Sequence, residues 1–174
     1  VHSAYIARRA EPGQFLHIKV DAAQTILRRP ISIHDVEHDT VSLLIRQRGR
    51  GTDLLMRKKR NEYLNVIGPL GSGFRWKVQP SEDVLLVAGG IGVAPLVYLA
   101  RSIQSRRSKS VHTVLLGAAT KKAVLCAQVF RRTGFGVLFA TEDGSRGIKG
   151  DVAKLLRTVL AQKHTSYKAR VYAC

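Results

Sequence analysis

The chain has 174 residues, 45% of them hydrophobic, and a formal net charge of +17 at pH 7. That length can bury a real core and allows one domain or two small ones. No apolar run approaches the ~20 residues of a membrane span. Its two cysteines, Cys126 and Cys174, form neither a disulfide framework nor a C-x-x-C pair, and cannot alone supply the thiolates of a [2Fe–2S] cluster.

The start, Val1-His2-Ser3-Ala4, lacks the charged-then-apolar form of a signal peptide, so the expected compartment is the cytoplasm. The excess charge is compatible with nucleic acid, an anionic cofactor or an acidic partner. Its basic pairs (Arg8-Arg9, Arg28-Arg29, Arg57 to Arg60, Arg106-Arg107, Lys121-Lys122, Arg131-Arg132) are scattered and not interleaved with aromatics. A solvated surface is therefore expected in preference to a nucleic-acid groove.

In chain order, Pro12-Gly13 is a turn, and Gln14 to Val20 alternates with Leu16, Ile18 and Val20 on one face, predicting a half-buried strand. Asp21 to Thr25 reads as a polar loop. Leu27 to Ile33 carries Pro30, which forces an extended backbone on Arg29 and marks a strand start or edge. Thr40 to Gln47 alternates again, and Arg48-Gly49-Arg50-Gly51-Thr52 turns into a short helix over Asp53 to Lys59. Glu62 to Ile67 is a strand, and Gly68-Pro69-Leu70-Gly71-Ser72-Gly73-Phe74 is rich enough in breakers to predict a loop. Short strands with almost no helix predict a small barrel or sandwich.

The pattern changes at Trp76–Glu82, where Lys77, Gln79, Pro80 and Ser81 form a polar joint and set the expected division between residues 1–78 and 79–174. Strands Val84–Ala88, Val111–Gly117, Gly136–Thr141 and Ala169–Ala173 alternate with helices Ala94–Arg106, Lys121–Arg131 and Gly150–Leu160. Repeated β-α units require a parallel sheet. Val84 to Ala88 is apolar throughout, as in a strand buried on both faces. It breaks into Gly89-Gly90-Ile91-Gly92, where missing Cβ atoms permit unusual dihedrals and close approach of a ligand, and Pro95 suits a first helical turn. Such a turn can hold an anion on main-chain N–H groups; it is equally a tight strand-to-helix connection. It matches neither G-x-G-x-x-G nor a Walker motif. Gly117-Ala118-Ala119, Thr141 to Gly144 and Cys174 fall at the same carboxyl edge of the sheet, where α/β proteins bind ligands.

Six segments carry a family resemblance: Arg29-Pro30-Ile31-Ser32, Gly51-Thr52, Gly68-Pro69-Leu70-Gly71, Gly89 to Pro95, Glu142-Asp143-Gly144-Ser145 with Gly150, and Tyr172-Ala173-Cys174. Their order is that of the motifs of the ferredoxin–NADP reductase superfamily, which the chain resembles from about Pro12 to Cys174. Within it, Leu27 to Ile33 and Asn65 to Phe74 look most like the electron-transfer subunit of NAD-linked (type B) dihydroorotate dehydrogenase.

The resemblance implies an FAD-binding antiparallel barrel followed by an NAD-binding α/β domain. In it, Arg29 pairs with a flavin phosphate, to which a guanidinium offers a planar fork. Pro30 and Ile31 line the isoalloxazine, Ser32 lies at the N5 edge, and Gly51-Thr52 receives the pyrophosphate at a helix start. Gly89, Gly90, Gly92 and Pro95 hold NAD(H), and Cys174 stands beside the nicotinamide, so Ser32 and Cys174 are the expected catalytic positions. Without the resemblance these would read as a surface arginine, a strand serine, a helix cap and a strand thiol. Glu142-Asp143 has no assigned role. Lys121 and Lys122 are candidates for an adenosine 2′-phosphate, which leaves NADPH open beside NADH.

The implied reaction is hydride transfer from nicotinamide to flavin. Electrons then pass through a [2Fe–2S] cluster to the catalytic subunit of dihydroorotate dehydrogenase in a heterotetramer serving pyrimidine biosynthesis. The chain departs from the family in stopping at Cys174, before a Gly-Pro and the cysteine-rich tail that binds the cluster. It also begins too late for the first barrel strand, so about four strands are expected where a closed barrel has six. No metal ligands are expected in this stretch. A related sulfide dehydrogenase or ferredoxin:NADP transhydrogenase subunit shares the motifs, and a basic nucleic-acid-binding module is the alternative of another class.

Overall fold

A computed structural model describes residues 1–20, 27–76, 82–104, 110–162 and 168–174. They form two compact units, Val1–Phe74 and Arg75–Cys174. The polar loop expected at Asp21 to Thr25, the 78/79 division and the pair Arg106-Arg107 lie outside the described residues.

The first unit is a four-stranded antiparallel sheet in the order β3-β2-β1-β4, formed by β1 Phe15–Lys19, β2 Arg29–Glu37, β3 Thr40–Leu43 and β4 Asn65–Leu70. The alternation read from the sequence decides its inner face: Leu16, Ile18, Ile33 and Val41 are fully buried and Val20 nearly so. β2 and β3 make a hairpin that closes at Glu37↔Thr40, with His38 at φ 51° in its turn. A short helix, α1 Ala4–Ala7, precedes the sheet; Ser3 Oγ caps it by accepting the Ile6 N–H at 3.4 Å. A second helix, α2 Arg50–Met56, follows β3 and starts earlier than the sequence suggests.

Gly68-Pro69-Leu70 is not loop, as its breakers predict, but the end of β4. Two features admit it. β4 lies at the sheet edge, where the N–H that proline lacks has no strand to reach. The β1–β4 register also slips between Phe15↔Leu70 and His17↔Ile67, an added residue on β4 that forms a bulge.

The second unit is a five-stranded parallel sheet in the order β8-β7-β6-β5-β9. Its strands are β5 Asp83–Gly89, β6 His112–Ala118, β7 Gly136–Thr141, β8 Ile148–Lys149 and β9 Ala169–Ala173. As its composition requires, β5 is an interior strand, flanked by β6 and β9, and is buried from Val84 to Ala88. Helix α3 Val93–Gln104 packs on β5 and on α4 Ala127–Arg132. Helix α5 Val152–Ala161 sets Leu155 and Val159 against Val87, Leu115 and Ala140. From β5 the chain adds β6, β7 and β8 in one direction and returns, through α5, to β9 on the other side of β5. The strand order therefore reverses between β5 and β9.

The helix predicted over Lys121–Arg131 is instead a 3₁₀ turn, Lys121–Ala123, and the separate α4. Val124 between them is extended and Cys126 is left-handed at φ 59°, and no helix runs through either conformation. Among the described residues, no helix is long and apolar enough to cross a membrane.

Candidate functional site

In the first unit, β2 divides the predicted flavin residues between two faces. Arg29 pairs with Ile18 and Ile31 with Leu16, on the side of the buried core, while Pro30 pairs with His17 and Ser32 with Phe15 on the opposite side. Arg29 and its neighbour Arg28 have different partners. Arg28 ties β1 to β4: its guanidinium donates to His17 O at 3.3 Å, Asn65 O at 3.2 Å and Asn65 Oδ1 at 2.7 Å. Arg29 donates to Leu27 O at 3.0 Å and otherwise lies over the start of α2.

A Cβ built at Gly51 would fall on the Arg29 guanidinium, with Nε, Cζ and Nη2 its nearest atoms. Two motifs 22 positions apart thus meet at one helix start. Thr52 has a part in this that its motif does not reveal. Its Oγ1 accepts the N–H groups of Arg48 at 2.9 Å and Gly49 at 3.2 Å and donates to Gly49 O at 2.9 Å. The hydroxyl is used in closing the turn, as a capping residue at the third helical position would be. Gly51, by contrast, keeps the helix start low enough for a guanidinium to lie on it.

In the second unit the predicted residues converge through main chain. Gly89 N–H donates to Cys174 O at 3.1 Å and Cys174 N–H to Val87 O at 3.0 Å, which continues the β5–β9 pairing past Ala173. Gly90 has φ 55° and opens a 3₁₀ turn that ends at Gly92. A Cβ on Gly92 would collide with the Cys174 carbonyl, whereas one on Gly89 would meet nothing within 4 Å. Gly92 is therefore needed for close packing, and Gly89 leaves open space above the strand end. Pro95 is buried in the first turn of α3. The turn and Cys174 flank the point where the strand order reverses, the general place for a ligand in an open α/β sheet. Cys174 is exposed; Cys126 is half-buried, and burial pushes its thiol up, away from reactivity.

Two further loops complete that edge. Gly117, at the end of β6, lies against Val152, where a Cβ would come within 2.7 Å of the Val152 Cβ. Asp143 accepts the N–H and hydroxyl of Ser145 at 2.9 and 2.6 Å, bonds that hold its carboxyl below the usual range. Ser145 Oγ in turn accepts the Lys121 N–H at 2.7 Å. Asp143, to which the sequence assigns no role, thus fastens the loop after β7 to the loop after β6, and Lys121 and Lys122 stand exposed beside it.

A dianionic pyrophosphate suits Arg29 over the α2 start, and a dinucleotide suits a glycine turn with open space at Gly89. An iron–sulfur cluster does not fit: among the described residues no three His, Cys, Asp or Glu side chains come together as metal ligands.

No family model matches the chain. It is 40% identical over 172 residues to the "Dihydroorotate dehydrogenase B (NAD(+)), electron transfer subunit" of Desulforamulus reducens, a match covering 97% of this chain and 63% of that protein. The subunit of the same name from Geobacillus thermodenitrificans is 42% identical over 174 residues, covering 97% and 64%. The chain thus spans a little under two thirds of these relatives. Among solved structures, that of an NADH-dependent reduced ferredoxin–NADP oxidoreductase superposes with TM-score 0.81 at 26% identity, over 99% of this chain and 60% of the other. Plasmodium falciparum ferredoxin–NADP⁺ reductase superposes with TM-score 0.74 at 14% identity, over 95% and 72%.

Proposed function

The chain is a relative of the dihydroorotate dehydrogenase B electron transfer subunits and carries the ferredoxin–NADP reductase fold, and on that premise we propose that it passes reducing equivalents between NAD(H) and FAD. The first unit takes the FAD and the second the nicotinamide nucleotide. FAD, when bound, supplies the ability to accept a hydride and release its electrons singly.

The protein's part is binding and alignment. Arg29 neutralises the pyrophosphate, and Gly51 leaves room for it at the α2 start. The extended main chain at Pro30 and Ile31 borders the ring system, and Ser32 offers a hydroxyl that can donate or accept at its reactive nitrogen. Gly89 and Gly90 admit the nucleotide phosphates to main-chain N–H groups, Gly92 and Pro95 set the turn, and Cys174 shields the nicotinamide edge. The nucleotide is NADH, as the name NAD(+) carried by the relatives suggests.

The observation that carries this reading is the meeting of Arg29 and Gly51, because two residues that resemble a flavin-phosphate motif form one cradle. The acceptor is a dihydroorotate dehydrogenase catalytic subunit in a heterotetramer within the cytoplasm. A cluster serving it takes its ligands from outside the described residues.

The test is reconstitution. The chain is incubated with FAD, passed over a sizing column and mixed with NADH without oxygen. Retention of stoichiometric flavin followed by bleaching of its visible band is the expected result. Loss of all flavin on the column, with parent and Arg29→Ala alike, would remove the reading.

A further inference from the structure

The loops after β6 and β7 are joined through a pair of side chains, Asp143 and Ser145, to which the motifs give no part. We propose that Asp143 is a positioning residue for the adenosine half of the nucleotide. Acting through Ser145, it holds the loop after β6 in the shape that half requires.

Main chain begins the join. The β6–β7 pairing ends at Ala118↔Thr141, and Glu142 N–H to Ala118 O at 3.1 Å and Asp143 N–H to Ala119 O at 3.3 Å carry it on into the loops. Gly144, at φ +75°, then turns the chain back, its N–H on Thr141 O at 3.0 Å. The turn brings Ser145 to the start of the 3₁₀ turn Lys121–Ala123.

Side chains complete it. Among the described residues Thr120, the N-cap of that 3₁₀ turn, gives it no side-chain bond. The first N–H of the turn, that of Lys121, goes instead to Ser145 Oγ at 2.7 Å, 24 positions away. A serine hydroxyl has one proton to donate. Asp143 Oδ1 takes that proton at 2.6 Å, which leaves the oxygen's lone pairs for Lys121. The same carboxylate oxygen accepts the Ser145 N–H at 2.9 Å, so one group fixes both backbone and hydroxyl of Ser145. On the far side of the loop, Thr141 Oγ1 accepts the Arg146 N–H at 2.9 Å and donates to Arg146 O at 3.1 Å, and the Arg146 guanidinium lies on the Phe139 ring at 3.7 Å. Asp143, Ser145 and Lys121 are all exposed, where water could satisfy each of them. Their bonds therefore preserve a surface shape, as the support of a binding site does.

What that surface receives follows from strand order, and the argument rests on the reading that puts the nicotinamide beside Cys174 and the phosphates at Gly89–Gly92. β9, β5, β6 and β7 lie side by side in that order, and neighbouring strands are about 4.8 Å apart. With nicotinamide at the end of β9 and phosphates at the end of β5, the adenosine half continues over the ends of β6 and β7, about 5–10 Å further on. The loop that Ser145 caps stands there. Asp143 acts on the ligand through that loop and not by contact.

ADP-ribose, which has the adenosine and both phosphates but no nicotinamide, tests this by calorimetric titration of the full chain without flavin. Asp143→Ala and Ser145→Ala are each expected to weaken its binding about tenfold, the low end for loss of a charge-assisted bond. The double variant should lose no more than either alone, because the two residues form one relay. Asp143→Asn keeps an acceptor oxygen and should recover most of the affinity. In the FAD-loaded chain the alanine variants should raise the KM for NADH about tenfold and leave the saturating rate of flavin bleaching within about twofold. Reduced nicotinamide mononucleotide, which lacks the adenosine, should bleach parent and variants alike, whereas a general loosening of the unit would slow both donors. Equal ADP-ribose affinity in the parent and the alanine variants would overturn the proposal, as would additive losses in the double variant, which would make Asp143 a direct contact. A parent chain that binds no ADP-ribose would remove the nucleotide reading itself, and the proposal with it.

Discussion

The two candidate sites are built from different materials. In the first unit the cradle is a side chain laid over a glycine, Arg29 on Gly51; in the second it is main chain against main chain, Gly92 on the Cys174 carbonyl. A side chain's far end can swing aside at little cost, but a strand end held by Gly89 N–H and Val87 O cannot. The first site is therefore expected to lose ligand affinity without losing its fold, and the second to lose both together.

Gly92→Ala is the largest expected effect. The added methyl meets Cys174 backbone, and the overpacking should cost about 2 kcal/mol in urea unfolding along with NADH affinity. Cys174→Ala leaves the clashing atoms in place and should change stability little, so equal stability of the Gly92 variant and the parent would contradict the main-chain account.

Arg29→Ala comes next. Loss of charge-assisted bonds to a phosphate, worth about 1.5–3 kcal/mol, should weaken FAD about 10- to 100-fold in equilibrium dialysis while thermal unfolding stays close to the parent's. The neighbouring Arg28→Ala sharpens the contrast. It removes the tie between β1 and β4 and should cost about 1 kcal/mol of stability with FAD affinity kept. Reversed outcomes for the two arginines would exchange their roles.

Gly51→Ala should be milder still for the fold, because Arg29 can swing away, and its effect should appear as weakened FAD binding alone.

The smallest effect lies at the other end of the second sheet. His112, the first residue of β6, buries both ring nitrogens with no hydrogen-bond partner among the described residues, beside Phe135 at 5.3 Å between ring centroids. Burial lowers its pKa from the ordinary 6.5, partly offset by the carboxylate of Asp83. With the folded value depressed, the unfolded chain takes up the proton first. Stability is then full above about pH 6.5 and falls as pH drops from there through the lowered folded value. His112→Phe should flatten that slope in pH-dependent unfolding, and an unchanged slope would assign it to other groups.

What could be read in the sequence follows the same division. Side-chain pattern was informative where burial alone decides the fold. The run Val84 to Ala88 gives a strand buried inside the sheet, the spacing of Leu16, Ile18 and Val20 gives an inner face, and the stripe Leu155–Val159 gives α5. It failed where position in the sheet decides: Pro69 reads as a breaker, yet an edge strand with a bulge accommodates it. It failed also where a backbone conformation interrupts an otherwise helical pattern, as the left-handed Cys126 does between Lys121 and Arg131.

The site residues divide likewise. The motifs locate Arg29, Gly51 and the glycine turn, but not that Thr52 uses its hydroxyl on Gly49 or that Asp143 fastens two loops through Ser145. Those bonds join residues by local turn geometry, and only Thr52, three positions after Gly49, leaves a trace as a capping pattern.

The most direct test of the central claim is anaerobic stopped-flow mixing of the FAD-loaded chain with NADH carrying either hydrogen or deuterium at the transferring C4 position. The account predicts that the flavin band bleaches with both and more slowly with deuterium, since hydride transfer would then occur between groups held by this chain alone. A chain that retains FAD yet leaves it oxidised at saturating NADH would contradict it.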